Sequence, residues 1–312
     1  MWEHERLVVR TGARSGMTTM VALHSTRAGS AVGGCRMKAY EQITDAVADV
    51  LRLSKAMTLK CDAAGIPHGG AKSVIVVDRP LTPELRRDVL LDHADLINEF
   101  AGSYRAGPDV GTGPQDMVVL RELTPWAYCL PEDQGGTGSS SGPTARGVLA
   151  ALEAAAEHTF GTSDLTGRKV VISGFGSVGE LIAEGLAGAD ITVSDVDESR
   201  RSGRFGWVHP DEAYRVEADV LVPAAVGGVL SPETVRDLTV KLVVGPANNQ
   251  LTDDSVADLL AQRGIVWVPD HVASAGGVIY TLAREDDGDD HETALKRVDV
   301  IGTTVRRLLA GR

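Results

Sequence analysis

The sequence predicts an α/β protein of two domains, an N-terminal α/β domain and a C-terminal doubly wound parallel sheet, with a cleft between them. Three observations predict it. The 312 residues exceed what one ordinary core encloses. A Gly/Ser-dense stretch at 132–147, EDQGGTGSSSGPTARG, interrupts the chain as a linker would. Beyond it, short apolar runs alternate with apolar-faced helical segments, the pattern of parallel strands joined by helices. The expected divisions are 1–135, 136–285 and a C-terminal helical segment 286–312 that packs across the domains.

Composition narrows the class. Hydrophobic content of 43% with 24% charged residues describes a soluble globular chain. The net charge of −12 excludes the usual electrostatics of nucleic-acid binding. The apolar runs fall short of a membrane span, and MWEHERLVVR lacks a signal peptide's apolar segment, so the cytoplasm is the expected location. Cys35, Cys61 and Cys129 are scattered without a CxxC spacing, which points to free thiols and to neither a disulfide frame nor a metal site.

In the first half, residues 6–9 and 18–23 read as strands joined by the turn TGARSG. A Gly33-Gly34 pair follows. It is either a turn or bulge, or a place where backbone N–H groups face an anionic ligand. A helix is expected over 41–57, where Ile43, Val47, Val50 and Leu51 keep helical spacing. The stretch 56–72, AMTLKCDAAGIPHGGAK, then holds two lysines in unlike settings. Lys60 follows the helix, whereas Lys72 follows Gly69-Gly70-Ala71 and leads into a buried strand at 73–77. Glycines allow close approach of backbone and ligand, and a lysine held between them and a buried strand can serve as a base. Two exposed loop lysines are the alternative. Thr82-Pro83-Glu84 opens a helix to about Phe100. In GPDVGT, Asp109 is either a turn former or a carboxylate held rigidly on a loop.

In the second half a helix is expected from Pro143 to about His158, and 169–173 reads as a strand. Gly174-Phe175-Gly176-Ser177-Val178-Gly179 follows directly and opens a helix, and a second strand ends at Asp195, about 20 residues past the first glycine. This is GxGxxG in its required context, a dinucleotide site. Gly174 makes the tight turn, Gly176 admits the pyrophosphate and Gly179 permits helix–strand packing, with the pyrophosphate favoured at the helix N-terminus. Asp195 would accept from a ribose hydroxyl and repel a 2′-phosphate, which favours NAD, although Arg200 and Arg201 could hold a phosphate. Strands at 219–222, 241–244 and 265–268 complete the sheet, and Asn248-Asn249 follows one of them at the ligand end.

The motifs AVGGCRM, AMTLKCDAAGIPHGGAKSVI, GPDVGT, GGTGSSSGPTARGV, GFGSVG, GPANNQL and PDHVASAGGVI together resemble the Glu/Leu/Phe/Val amino acid dehydrogenases, most closely the leucine, valine and phenylalanine members, in order and over nearly the whole chain. The resemblance implies that residues 1–135 form a substrate-binding and oligomerisation domain and 136–285 an NAD-binding Rossmann domain. It implies oxidative deamination of an L-amino acid to a 2-oxo acid with release of ammonia. In that reaction Lys60 pairs with the α-carboxylate, Gly33 and Gly34 contact the substrate through backbone, and Lys72 activates the attacking water. Asp109 shuttles protons on the amino nitrogen, and Asn249 with Asn248 binds the amino end, Asn248 also lying at the cofactor. Val32, Met57, Pro108, Val278 and Thr281 would line the side-chain pocket. They offer no cation to a carboxylate, so a hydrophobic substrate is expected. A homo-oligomer is implied.

Three departures from the family pattern stand out: Ser274 where the family has Asn, Pro246 before the Asn pair, and a chain that stops at Arg312. Ser274 and the short C-terminus support an alternative, a catalytically impaired NAD-binding regulatory or binding subunit. His68 reads as structural.

Overall fold

The computed structural model describes residues 2–311. The chain divides into two units: residues up to Ser139 together with Thr281–Asp289, and Ser140–Tyr280 together with the chain from Asp290 on. The first unit contains β1 (Arg6–Thr11), β2 (Thr18–Leu23), β3 (Ala31–Lys38), α1 (Ile43–Ala64), β4 (Gly69–Val76), α2 (Pro83–Asn98), β5 (Tyr104–Pro108) and α3 (Pro114–Arg121). The second runs through α4 (Ser141–Phe160), β6 (Lys169–Ser173), α5 (Ser177–Gly185), β7 (Asp190–Ser194), β8 (Gly206–Trp207), β9 (Val220–Pro223), α6 (Pro232–Asp237), β10 (Leu242–Val243), α7 (Ser255–Gln262), β11 (Val266–Trp267) and α8 (Asp270–Ala273). Helix α9 (Gly276–Glu285) follows, its last residues grouped with the first unit, and then α10 (His291–Val298) and α11 (Val300–Ala310).

The first sheet is mixed, in the order β1-β2-β4-β3-β5. β1 and β2 pair antiparallel, as do β2 and β4, while β3 lies parallel to both β4 and β5. Side chains alternate between its faces. Met20, Ala22 and Val74 pack under Ala46 and Val50 of α1, whereas Val21, Ala71, Ile75, Cys35 and Ala106 pack against α2 and α3. This parity puts Gly34, Arg36, Gly70 and Lys72 on the α1 face. α1 is longer than its apolar spacing predicts. It runs past Met57 to Ala64 and ends at Gly65 in the left-handed conformation, φ 66°. Lys60 therefore stands on the helix, not after it. α2 begins as expected, with the Thr82 hydroxyl accepting from the Leu85 N–H at 3.2 Å and proline at its first position.

A polar seam crosses the α2 face. His93 is fully buried, with Nδ1 against the Thr19 hydroxyl and Nε2 2.9 Å from Ser73 Oγ. The Tyr104 hydroxyl lies 2.9 Å from the same Ser73 Oγ and 3.2 Å from the Gly33 carbonyl. These bonds satisfy groups that would otherwise be costly to bury.

The second sheet is parallel throughout, in the order β11-β10-β9-β6-β7-β8. The chain starts in the middle, at β6, and winds outward both ways, so the order reverses between β6 and β9. Strands β10 and β11 are shorter than predicted, two residues each. The expected linker at 132–147 is ordered secondary structure at its end, since α4 starts at Ser141. The C-terminal helical segment expected over 286–312 is broken at Asp299, whose carboxylate accepts two bonds at 2.7 Å from Arg146 of α4. α10 and α11 belong to the second unit.

Residues 281–289 belong to the first unit for a local reason. Glu285 Oε1 accepts from Cys129 N (2.9 Å), Thr137 N (3.1 Å) and Thr137 Oγ1 (2.7 Å). Asp286 pairs with Arg105 and accepts from the Tyr128 hydroxyl at 3.0 Å, with His68 Nε2 3.4 Å away. His68 also bonds the Ser30 carbonyl at 3.0 Å.

The buried His93 makes stability depend on pH. Burial pushes its imidazole down from 6.5 to about 3. Below pH 6.5 the unfolded chain takes up a proton that the folded chain refuses, so stability falls as pH drops toward 3. Urea denaturation between pH 6.5 and 5 should show this slope, and His93→Gln should remove up to about 1.4 kcal/mol per pH unit of it. An unaltered slope in the variant would assign the acid sensitivity elsewhere.

Candidate active site

The lysine stretch folds as helix, turn and strand, and its glycines let α1 lie directly on β4. A Cβ at Gly70 would sit 2.1 Å from the Thr58 nitrogen and 2.6 Å from the Ser54 carbonyl oxygen. One at Gly33 would sit 1.8 Å from the Ala71 oxygen. No side chain fits at either position. Gly33-Gly34 is thus strand interior, not a turn or bulge. Met57 and Lys60 are half-buried on α1.

Lys72 projects from β4 and is 6% exposed. Its Nζ lies 3.2 Å from Asp109 Oδ1. Arg36 Nε donates to the other oxygen, Oδ2, at 2.7 Å. Gly34 provides the room: a Cβ there would stand 2.8 Å from Asp109 Cβ and 3.0 Å from Lys72 Nζ. Asp109 follows β5 on a pinned loop. Its N–H donates to Thr112 Oγ1 at 3.0 Å, and Thr112 Oγ1 donates to the Cys35 carbonyl at 2.7 Å. Gly111, at φ 83°, presses against the Met37 carbonyl, where no side chain could go. Burial would raise the Asp109 carboxyl, but the Lys72 ammonium and the Arg36 guanidinium outweigh it and hold the group down to about 2. Asp109 is ionised at neutral pH.

Of the remaining residues read from sequence, Val32 (5% exposed) and the half-buried Pro108 stand on neighbouring strands. Thr281 belongs to the same unit, 8% exposed, with Oγ1 3.4 Å from Cys129 Sγ. Val278, Asn248 and Asn249 belong to the second unit. Arg36 and Thr112 were not singled out by sequence. The signal for Arg36 was available in AVGGCRM, where it falls two residues after Gly34 and so on the same strand face.

In the second unit, β6 ends at Gly174, φ 110°, where a Cβ would meet the Ala225 nitrogen at 2.5 Å. Gly179 packs its α carbon against the Gly174 carbonyl, 2.1 Å from where a Cβ would be. At Gly176 the space is open, with nothing within 4 Å of an added Cβ. The Phe175 N–H donates to Asp195 Oδ2 at 2.8 Å, tying the turn to the end of β7. Arg200 Nη1 donates to the Phe175 carbonyl at 3.2 Å, and Arg201 is exposed. Ser194 Oγ is buried with no hydrogen-bond partner among the described residues. Val196 and Val226, just beyond β7 and β9, are 87% and 70% exposed, an apolar pair that sequence reading passed over. A tight turn, an open glycine and a helix N-terminus are what a dinucleotide's phosphates require, and these residues fit one.

Asn249 is left-handed at φ 53°; its N–H donates to Asp270 Oδ2 at 2.8 Å and its carbonyl accepts from Gly228 at 2.7 Å. Its side-chain Nδ2 is buried without a partner among the described residues. Ser274, where the family pattern has Asn, donates to the Asp270 carbonyl at 2.7 Å and is 6% exposed. Pro246 is buried beside Ala247, whose N–H donates to the Pro223 carbonyl at 3.0 Å.

Comparison with known proteins gives one answer. Residues 4–125 match the family model for the Glu/Leu/Phe/Val dehydrogenase dimerisation domain. Residues 135–200 and 193–283 match that for glutamate/leucine/phenylalanine/valine dehydrogenase. The chain is 39% identical to phenylalanine dehydrogenase of Lysinibacillus sphaericus, over 96% of this chain and 81% of that protein. It is 37% identical to leucine dehydrogenase of Bacillus cereus, over 99% and 85%. The solved structure of L-tryptophan dehydrogenase from Nostoc punctiforme superposes with a TM-score of 0.79 at 30% identity, covering 99% of this chain and 90% of that one. The chain belongs to the Glu/Leu/Phe/Val dehydrogenase family: it is an oxidoreductase that acts on amino acids and needs a nicotinamide cofactor.

Proposed function

We propose that the chain catalyses NAD-dependent oxidative deamination of a hydrophobic L-amino acid to its 2-oxo acid, releasing ammonia, and the reverse reductive amination. The observation that carries this reading is the Lys72–Asp109 pair at 3.2 Å, held beside a glycine-lined strand. The cofactor, when bound, supplies the hydride acceptor. Lys60 holds the α-carboxylate by charge and, with the Gly33-Gly34 backbone, fixes the substrate's orientation. Positioning of this kind supplies much of a rate enhancement. Loss of hydride from the α carbon leaves an iminium, and Lys72, in its unprotonated form, takes a proton from the water that attacks it. Asp109, ionised and within reach of Lys72, moves protons on and off the amino nitrogen so that ammonia can leave.

Val32, Met57, Pro108 and Thr281 offer no cation to a side-chain carboxylate, which favours aliphatic or aromatic substrates. The relatives named for phenylalanine, leucine and tryptophan agree with this preference. Val278 and the amino-end roles of Asn248 and Asn249 rest on the family resemblance, to which the unfilled Asn249 Nδ2 donor adds support. For the cofactor, the backbone of Gly174-Phe175-Gly176-Ser177-Val178-Gly179 and the start of α5 would hold the pyrophosphate. Asp195 would face the ribose, and Val196 and Val226 would flank the adenine. The Asp195 carboxylate disfavours a 2′-phosphate, and Arg200 is tied to the Phe175 carbonyl, which together favour NAD over NADP. A cytoplasmic homo-oligomer belongs to the same reading, supported by the dimerisation-domain match. No helix among the described residues is long and apolar enough to cross a membrane.

Three measurements test the reading. NADH formation at alkaline pH, assayed over the standard L-amino acids, should appear with branched aliphatic or aromatic substrates; silence with all of them, in protein that binds NADH, would replace this reading with that of a binding subunit. Lys72→Ala should lower kcat by about 10²–10⁴-fold, the usual contribution of a general base, while leaving the NADH dissociation constant unchanged. Near-normal turnover would remove Lys72 from the chemistry. Asp195→Asn keeps an acceptor for the Phe175 N–H but loses the charge. It should cut the NAD/NADP ratio of kcat/KM about tenfold, and an unmoved ratio would refute the ribose assignment.

A further inference from the structure

Arg36 belongs to no part of the mechanism above, yet it touches one of its central groups. The guanidinium is 13% exposed and sits on the face of β3 that carries Gly34. Nε donates to Asp109 Oδ2 at 2.7 Å, and Nη1 donates to Asp49 Oδ2 at 2.9 Å. Asp49, on α1 and 12% exposed, also accepts from the Tyr40 hydroxyl at 2.7 Å and from Arg52 Nη2 at 2.9 Å. Arg36 is thus anchored at one end to a helix and grips the loop carboxylate with the other. Its planar fork spans two carboxylates at once, which a lysine's single ammonium cannot do.

Isolated ion pairs of low exposure are poor sources of stability, because desolvation consumes most of the attraction. What this one does achieve is orientation. With Oδ2 held by Arg36, turning the Asp109 carboxylate about its own bond would break a charge-assisted hydrogen bond, and Oδ1 is the oxygen left on the Lys72 side.

We propose that Arg36 is a positioning residue for deamination: braced by Asp49 and Tyr40, it fixes the Asp109 carboxylate so that Oδ1 alone is offered to Lys72 and the substrate's amino nitrogen. This rests on the reading of Asp109 given above. The groups facing Asp109 are Lys72 from β4 and Arg36 from β3, with the buried Cys35 thiol of β3 and the Tyr104 hydroxyl of β5 close by. Asp49, Arg52 and Lys60 stand on α1, the first two joined to Asp109 through Arg36. Two cations hold Asp109 low, so loss of one raises it.

The test is a mutant cycle of Arg36→Gln, Arg36→Lys and Asp109→Asn, read by kcat and KM. Arg36→Gln should lower kcat about 10–100-fold with KM for amino acid and NAD nearly constant. Arg36→Lys, which keeps the charge without the fork, should not restore kcat. In the Asp109→Asn background either change should cost less than about twofold, because the residues act as one unit. Should Arg36→Gln lose its cooperative unfolding transition, the lysine variant carries the same comparison. Wild-type kcat in Arg36→Gln, full restoration by Arg36→Lys, or an equal loss in both backgrounds would overturn the inference. Asp109→Asn at the wild-type rate would instead overturn the role of Asp109 itself.

Discussion

At Gly70 the backbone of β4 comes so close to α1 that a methyl group would lie 2.1 Å from the Thr58 nitrogen. Helix and strand meet there backbone to backbone, and that separation sets the height of everything α1 carries over the sheet. Two residues further on, at Lys72, the strand's side chains resume. Val74 follows on the same face and packs against Ala46 and Val50 of α1. Gly34 applies the same rule from β3, leaving unfilled the volume in which Lys72 and Asp109 meet. The glycines of this unit are therefore spacers, and the charged groups are located by what the glycines lack.

Around that gap the charges alternate: Lys72, Asp109, Arg36, Asp49, Arg52. The Lys72 side chain is 7% exposed, Asp109, Arg36 and Asp49 lie between 12% and 17%, and Arg52 reaches 52%. A buried charge with a partner on each side is tolerated, whereas one left alone would neutralise. The series thus connects a nearly water-free lysine to solvent through ionised neighbours. On the opposite sheet face the seam of Thr19, His93, Ser73 and Tyr104 is neutral throughout. One sheet separates a charged side from an uncharged polar one simply by the alternation of its residues.

Features written in consecutive residues are legible in the sequence. GFGSVG declares its turn, its open glycine and its helix start because all three lie in one local segment. The Thr82-Pro83 helix start is equally local. Lys72 and Asp109 are legible through their glycine neighbours. Lys60 is misread by position, since Lys60-Cys61-Asp62 breaks the apolar spacing while the helix continues to Ala64 on its contacts with β4. Arg36 escapes because its meaning depends on strand register and on a loop that returns only at Asp109. The break at Asp299 escapes for the same reason, its partner Arg146 being distant in sequence. What is lost is what tertiary pairing decides.

Glu285 receives three hydrogen bonds from the segment around Cys129 and Thr137, and Asp286 is held by Arg105 and Tyr128. The first unit is thus not a continuous stretch of chain. During synthesis its residues up to Ser139 emerge well before the acids that complete them, with the whole of the second sheet in between. Until then the N–H groups of Cys129 and Thr137 have no native acceptor. Completion of the lysine-bearing unit consequently waits on a segment that leaves the ribosome only after the whole of the second sheet. The order in which the polypeptide is made opposes the order in which its two units could otherwise be finished.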